Sequence, residues 1–155
     1  MIRPARFLDI PSILNLGNRY VEEEVKVVAH HSASWDAIES ANQLCQAVHR
    51  DDLFLYVATC DGEIVGFLWA CTHPLAPWSS ELVASDFMFY VVPEKRGTML
   101  GYRLVKAYKE WAQSMSCVET RLSIASGINE ERVGRMFGLL GFEHFGTVYN
   151  CKTEV

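Results

Sequence analysis

The hydrophobic positions along the chain fall into two rhythms, and the switches between them mark the elements. Residues 2–7 alternate enough for a short first strand. Ile10, Ile13, Leu14, Leu16 and Val21 then recur at helical spacing. They predict a helix capped by Asp9, with Pro11 tolerated in its first turn. This helix runs out into Glu22, Glu23 and Glu24, and His30-His31-Ser32 reads as a loop. A second helix is expected from Ser34, carrying Trp35, Ile38, Leu44, Cys45 and Val48 inward. Next, LFLYVATC and EIVGFLWACT flank Asp61-Gly62. That dipeptide accepts the positive φ a tight hairpin turn requires, so the pair reads as two antiparallel strands.

After the loop HPLAPWSS, the run LVASDFMFYVV is nearly all apolar and predicts a strand buried on both faces. A helix from about residue 98 to 115 follows, with Leu100, Leu104, Ala107, Tyr108 and Trp111 on one side. VETRLSIAS reads as a strand. Asn129 is placed to cap a shorter helix whose first turn holds Glu130 and Glu131, matching the helix dipole, and Gly141 stops it. FEHFGTVYNCKTEV is expected to end the chain as a further strand or hairpin. The order is therefore β-α-α-β-β-β-α-β-α-β. This is an α/β (mixed α+β) chain with a mixed sheet and helices on both faces. Its 155 residues make one domain, 1–155.

Composition narrows the function classes. With 14 Lys and Arg against 19 Asp and Glu, the formal net charge is −5, without the basic footprint of a nucleic-acid binder. The five cysteines, Cys45, Cys60, Cys71, Cys117 and Cys151, include no CxxC pair, so neither a zinc site nor a disulfide framework is expected. His30 and His31 have no further ligand at useful spacing, and no metal is expected. No run is long enough to span a bilayer and the N-terminus lacks an apolar signal core, which suggests a cytoplasmic protein.

The stretch VVPEKRGTMLGYRL carries the clearest chemistry. Val91 and Val92 end a buried strand, Pro93 cannot continue the ladder, and Gly97 permits a sharp turn. The helix that follows opens with N–H groups lacking helical partners, which favours an anion. Arg96 adds a forked cation suited to phosphate oxygens. The stretch is neither a Walker A loop nor a GxGxxG turn. A plain connection with solvated charges would produce the same residues.

VVPEKRGTMLGYRL resembles motif A of the GNAT family of N-acetyltransferases. NEERVGRMFGLLGFEHFGTVY is similar to motif B of that family, and IRPARFLDIPSILNL to its usual first strand and helix. The order of the three matches the family over nearly the whole chain. The resemblance implies a central, mostly antiparallel sheet and direct acetyl transfer from acetyl-CoA to a primary amine, on a small molecule or a protein, in a ternary complex. It implies that main-chain groups of Val91 and Val92 meet the acetyl and pantetheine part of acetyl-CoA. Arg96, Gly97, Thr98, Met99, Leu100 and Gly101 would wrap the pyrophosphate, Asn129 would touch the pantetheine arm, and Phe137 would flank the thiol end. Homodimers are common in such a family.

Two positions depart from the pattern. Met99 stands where the turn usually has glycine. Phe137 stands where a tyrosine commonly protonates the thiolate, which phenylalanine cannot do. A scaffold that holds CoA, or a protein partner, without turnover is thus the alternative reading. For the base, Asp86 is the one charge inside LVASDFMFYVV, where desolvation would raise its pKa. A structural ion pair would leave the same trace. Tyr149, on the expected last strand, is the candidate acid, with a sheet-face aromatic as the plainer role. Glu22, Glu23 and Glu24 could attract a cationic acceptor or merely end a solvated helix. Trp35, Trp69 and Trp78 could be core or pocket wall.

Overall fold

The computed structural model describes residues 1–26, 34–124 and 129–153. Strand β1 is Ile2–Pro4, β2 Leu53–Cys60, β3 Glu63–Pro74, β4 Leu82–Val91 and β5 Glu119–Arg121. They form one sheet in the order β1-β2-β3-β4-β5. Every pairing is antiparallel except β4 with β5. The helices are α1 (Ile10–Arg19), continued by a π-helical segment Tyr20–Val25, α2 (Ala37–His49), α3 (Leu100–Ser114) and α4 (Glu130–Leu139).

Both sheet faces are covered. Phe54 of β2 meets the rings of Tyr108 and Trp111 from α3 at 5.4 and 5.3 Å. Its neighbours Leu55 and Val57 point to the opposite face, yet both are buried. There α1 packs on β3 and α2 on β2, contributing Ile13, Leu16, Leu44 and Ala47 to the core. The Asp61-Gly62 turn forms as expected, with φ of 52° and 85°.

Several local expectations change. Asp9 does not cap α1 with its side chain. Its carboxylate turns back to Arg3, in a bidentate pair at 2.6 and 2.9 Å, and to the Arg6 N–H at 2.7 Å. The second helix starts later than Ser34, because Asp36 is its cap and accepts from the Ile38 and Glu39 N–H groups. Ile38 faces solvent as a result. Asn129 precedes α4 with a left-handed φ of 52°, and its side chain makes no capping bond.

The largest correction concerns the chain end. Residues 143–153 form no strand. Phe145, Val148 and Tyr149 are all strongly exposed, so the segment has no buried face to repay the ordering of a strand. Phe145 lies beneath the Arg121 guanidinium of β5, 5.2 Å away. The order β-α-α-β-β-β-α-β-α-β thus loses its last β. His30 and His31 lie outside the described residues.

Candidate functional site

The site grows from a fork in the sheet. β4 pairs with β5 only from Val83↔Glu119 to Ser85↔Arg121. At the next residue the Asp86 carboxylate replaces the ladder, its Oδ1 accepting the Ser123 N–H at 2.9 Å. Beyond that point, no described strand pairs with β4 on its outer side. Phe87 is inserted as a bulge, since Trp69 faces Met88 while Ala70 faces Asp86.

The ladder with β3 fixes which main-chain groups reach the open edge. The Val92 N–H donates to Val65 O at 2.9 Å, and the Val92 carbonyl accepts from the Lys95 N–H at 3.0 Å. Both polar groups of Val92 are therefore engaged within the protein, contrary to the expectation that it meets a ligand. That bond pattern leaves Val91 facing away from β3, and alternation places Phe89 on the same edge. Phe89 was missed in the sequence because its role depends on ladder register, not on residue type.

The edge leads into the turn before α3. Gly97 has φ of 84°, a conformation that favours glycine. The Thr98 hydroxyl donates to Lys95 O at 2.7 Å and accepts from the Leu100 N–H at 3.4 Å. Met99 has right-handed helical φ and ψ and projects its side chain into solvent, so its backbone fits the turn in place of glycine. Gly101 brings α3 close to β4: a Cβ there would meet Phe89 at 3.4 Å and Met136 at 3.6 Å. Gly101 and its neighbours in the first helical turn carry the donors that α3 itself cannot satisfy.

Arg96 does not fork toward this turn. Its Nε donates to Val91 O at 2.8 Å, its Nη2 pairs with Glu24 at 2.5 Å, and its guanidinium lies 5.5 Å from the Tyr90 ring centre. It ties the end of β4 to the segment after α1. Another cation stands at the turn. Nη2 of Arg132, from α4, lies 2.5 Å from where a Cβ on Gly97 would sit. The remaining acidic residues of the first helical segment are also paired, Glu22 with Lys26 and Glu23 with Arg19.

Asp86 sits on the α3 side of the sheet, paired with Ala70, and burial pushes its pKa up to about 6. The bond from the Ser123 N–H opposes that rise without cancelling it. Burial likewise raises Tyr108, whose hydroxyl donates to Arg121 O at 3.0 Å, and the Cys71 thiol.

Phe137 is buried, with ring centres 6.4 Å from Phe89 and 5.9 Å from Phe142. It is core beneath β4 rather than an exposed flank. Asn129 is exposed at the start of α4. Tyr149, 93% exposed in the irregular chain end, joins none of these residues. Trp69 stands at the bulge, edge-on to Phe87 at 5.3 Å, and its buried Nε1–H has no acceptor among the described residues. Trp35 packs against Gly17, whereas Trp78 is exposed.

Comparison with known proteins matches this geometry. The profile of the acetyltransferase (GNAT) family matches residues 18–142. An aminoglycoside N(6')-acetyltransferase type 1 of Klebsiella aerogenes is 33% identical over 85 residues, 52% of this chain. The match spans about half, 54%, of that relative's length. Among solved structures, a putative acetyltransferase from Agrobacterium tumefaciens superposes with a TM-score of 0.74 at 18% identity, covering 99% of both chains. An apo aminoglycoside 6'-N-acetyltransferase from Acinetobacter haemolyticus gives 0.73 at 18% identity, covering 100% of this chain and 99% of that one. AAC(6')-Iy, complexed with a bisubstrate analogue of CoA and acetylneamine, gives 0.75 at 17% identity, covering 100% and 98%. Among the described residues, no helix is long and apolar enough to cross a membrane. With a forked sheet, a glycine turn opening α3 and a family profile spanning most of its length, the chain belongs to the acetyltransferase (GNAT) family.

Proposed function

We propose that the chain transfers an acetyl group from acetyl-CoA directly to a primary amine held in the same complex, and that a small amino sugar is its acceptor. The observation that carries this reading is the continuity of the open edge of β4 with the turn at Gly97 and the N-terminus of α3. An extended pantetheine arm can pair with the Phe89 main chain and the Val91 N–H, the Val91 carbonyl being held by Arg96. The pyrophosphate then meets the unpaired helical N–H groups. Edge N–H groups also suit the oxyanion that forms when the amine attacks the thioester carbonyl. The relatives that act on aminoglycosides favour an amino sugar over a protein acceptor, and the net charge of −5 favours a cationic one.

Calorimetric titration with acetyl-CoA, followed by thiol release on addition of sisomicin, tests the reading. Binding and release together support it. A lack of binding refutes it. Binding without release on any of a panel of amines favours the alternative, a scaffold that holds CoA without turnover. The observation behind that alternative is Phe137, which is buried and has no hydroxyl to protonate a leaving thiolate.

A further inference from the structure

Acetyl transfer requires a neutral amine, and at neutral pH an alkylamine is almost wholly protonated. A group must accept that proton at the moment of attack. Asp86 is poorly placed for this, being turned to the α3 side and bonded to the Ser123 N–H. The opposite face of the same strands carries a different pair. The His73 Nδ1 lies 2.9 Å from Pro74 O and its Nε2 lies 2.8 Å from Ser85 Oγ.

A carbonyl oxygen can only accept, so Nδ1 must bear the hydrogen that bridges it to Pro74. In the neutral ring Nε2 is then bare, and the Ser85 hydroxyl donates to it. Ser85 immediately precedes Asp86, at the last rung before the fork. Alternation sets its side chain on the face of Cys71, its partner across the ladder, and of Trp69 two residues further along β3. Ser85 and His73 are both half-buried, so the pair is fixed by its neighbours yet still reached from solvent. A strand hydroxyl bonded to an imidazole whose other nitrogen is anchored has the connectivity of a proton acceptor train.

We infer that Ser85 and His73 form the proton relay for the acceptor amine, with Ser85 touching the substrate and His73 positioned behind it. This rests on the acetyl-transfer reading above. One ammonium proton passes to Ser85 Oγ as the Ser85 proton moves to His73 Nε2. The freed nitrogen lone pair forms a bond to the thioester carbonyl carbon, and the oxyanion collapses with cleavage of the C–S bond. The second nitrogen proton leaves with the thiolate as free thiol. His73 returns its proton to solvent, so the overall products are the amide, CoA thiol and one proton.

Two measurements on the full chain test the relay. Imidazole ¹⁵N spectra report the His73 tautomer whether or not an acceptor is known. A protonated Nδ1, with an Nε2 resonance that moves in Ser85→Ala, is expected. An Nε2–H tautomer overturns the relay. The second measurement compares thiol release with ethylamine and with trifluoroethylamine, which are close in shape but differ in basicity. His73→Gln and Ser85→Ala should lower kcat on ethylamine by roughly 10²-fold and on trifluoroethylamine by less than about 3-fold, because the weaker base needs no acceptor. Ser85→Thr, which keeps the hydroxyl, should restore most of the rate, and acetyl-CoA affinity should hold throughout. Equal losses on both amines, or none, overturn the relay while leaving acetyl transfer intact. Acetyl-CoA binding with no thiol release by the parent on any amine overturns both.

Discussion

Asp86 should lower the stability of the protein at neutral pH, and the size of that cost follows from its surroundings. Its carboxyl has a pKa of about 6 in the fold against an ordinary 3.8, because desolvation outweighs the bond from Ser123. Below 3.8 the group is protonated in both states and costs nothing. Between 3.8 and about 6 the unfolded chain ionises while the folded one holds its proton, so stability falls as pH rises. Above that window the full cost is present, at about 1.4 kcal/mol per pH unit of displacement, or roughly 3 kcal/mol in total. Asp86→Asn removes the titration and keeps an oxygen for the Ser123 N–H. Urea unfolding should therefore show the variant more stable than the parent by about 3 kcal/mol at about pH 8, and nearly equal to it at about pH 4. In thermal unfolding the same gain at the higher pH is roughly 6–12 °C. A gain of the same size at both pH values, or a carboxyl ¹³C resonance titrating in the ordinary aspartate range, would refute the reasoning.

The salt-bridged carboxylate at the start of the chain should behave in the opposite sense. The Arg3 guanidinium holds Asp9 below its ordinary pKa, so its contribution is present above the unfolded value of 3.8 and fades as pH falls through the lower folded one; Asp9→Ala should cost about 2 kcal/mol at neutral pH and much less in strong acid by urea unfolding. Gly97→Ala meets both a left-handed φ and the Arg132 guanidinium, and should weaken acetyl-CoA binding at least about tenfold by calorimetry while costing about 1–2 kcal/mol of stability. Tyr108→Phe leaves the buried Arg121 carbonyl without its hydroxyl donor, and should lower stability by about 1–3 kcal/mol in urea unfolding.

The elements were legible in the sequence because the features that set them are local. The Asp61-Gly62 hairpin and the apolar stripe of α3 depend on residues within one turn of each other, and both form at or within two residues of the expected place. The stretch VVPEKRGTMLGYRL likewise located the turn at Gly97. Met99 could be accommodated because only its backbone is needed there.

What tertiary structure alone decided is which partner each polar group found. Arg96 looked like a phosphate ligand, but a residue 72 positions away in the chain, Glu24, claims its guanidinium. Arg132 takes the place beside Gly97 that Arg96 does not fill, although the two arginines lie on different elements. The pairing of His73 with Ser85 arises from the register of two antiparallel strands, and the outward turn of Phe89 and of the Val91 N–H, rather than of Val92, from the parity of the same ladder. Tyr149 shows the converse: its segment reads as a strand, but there it has no buried face to repay the ordering of one. Propensity and periodicity belong to a segment of chain. Hydrogen-bond partners, burial and the shift of a buried carboxyl belong to what the other segments place against it.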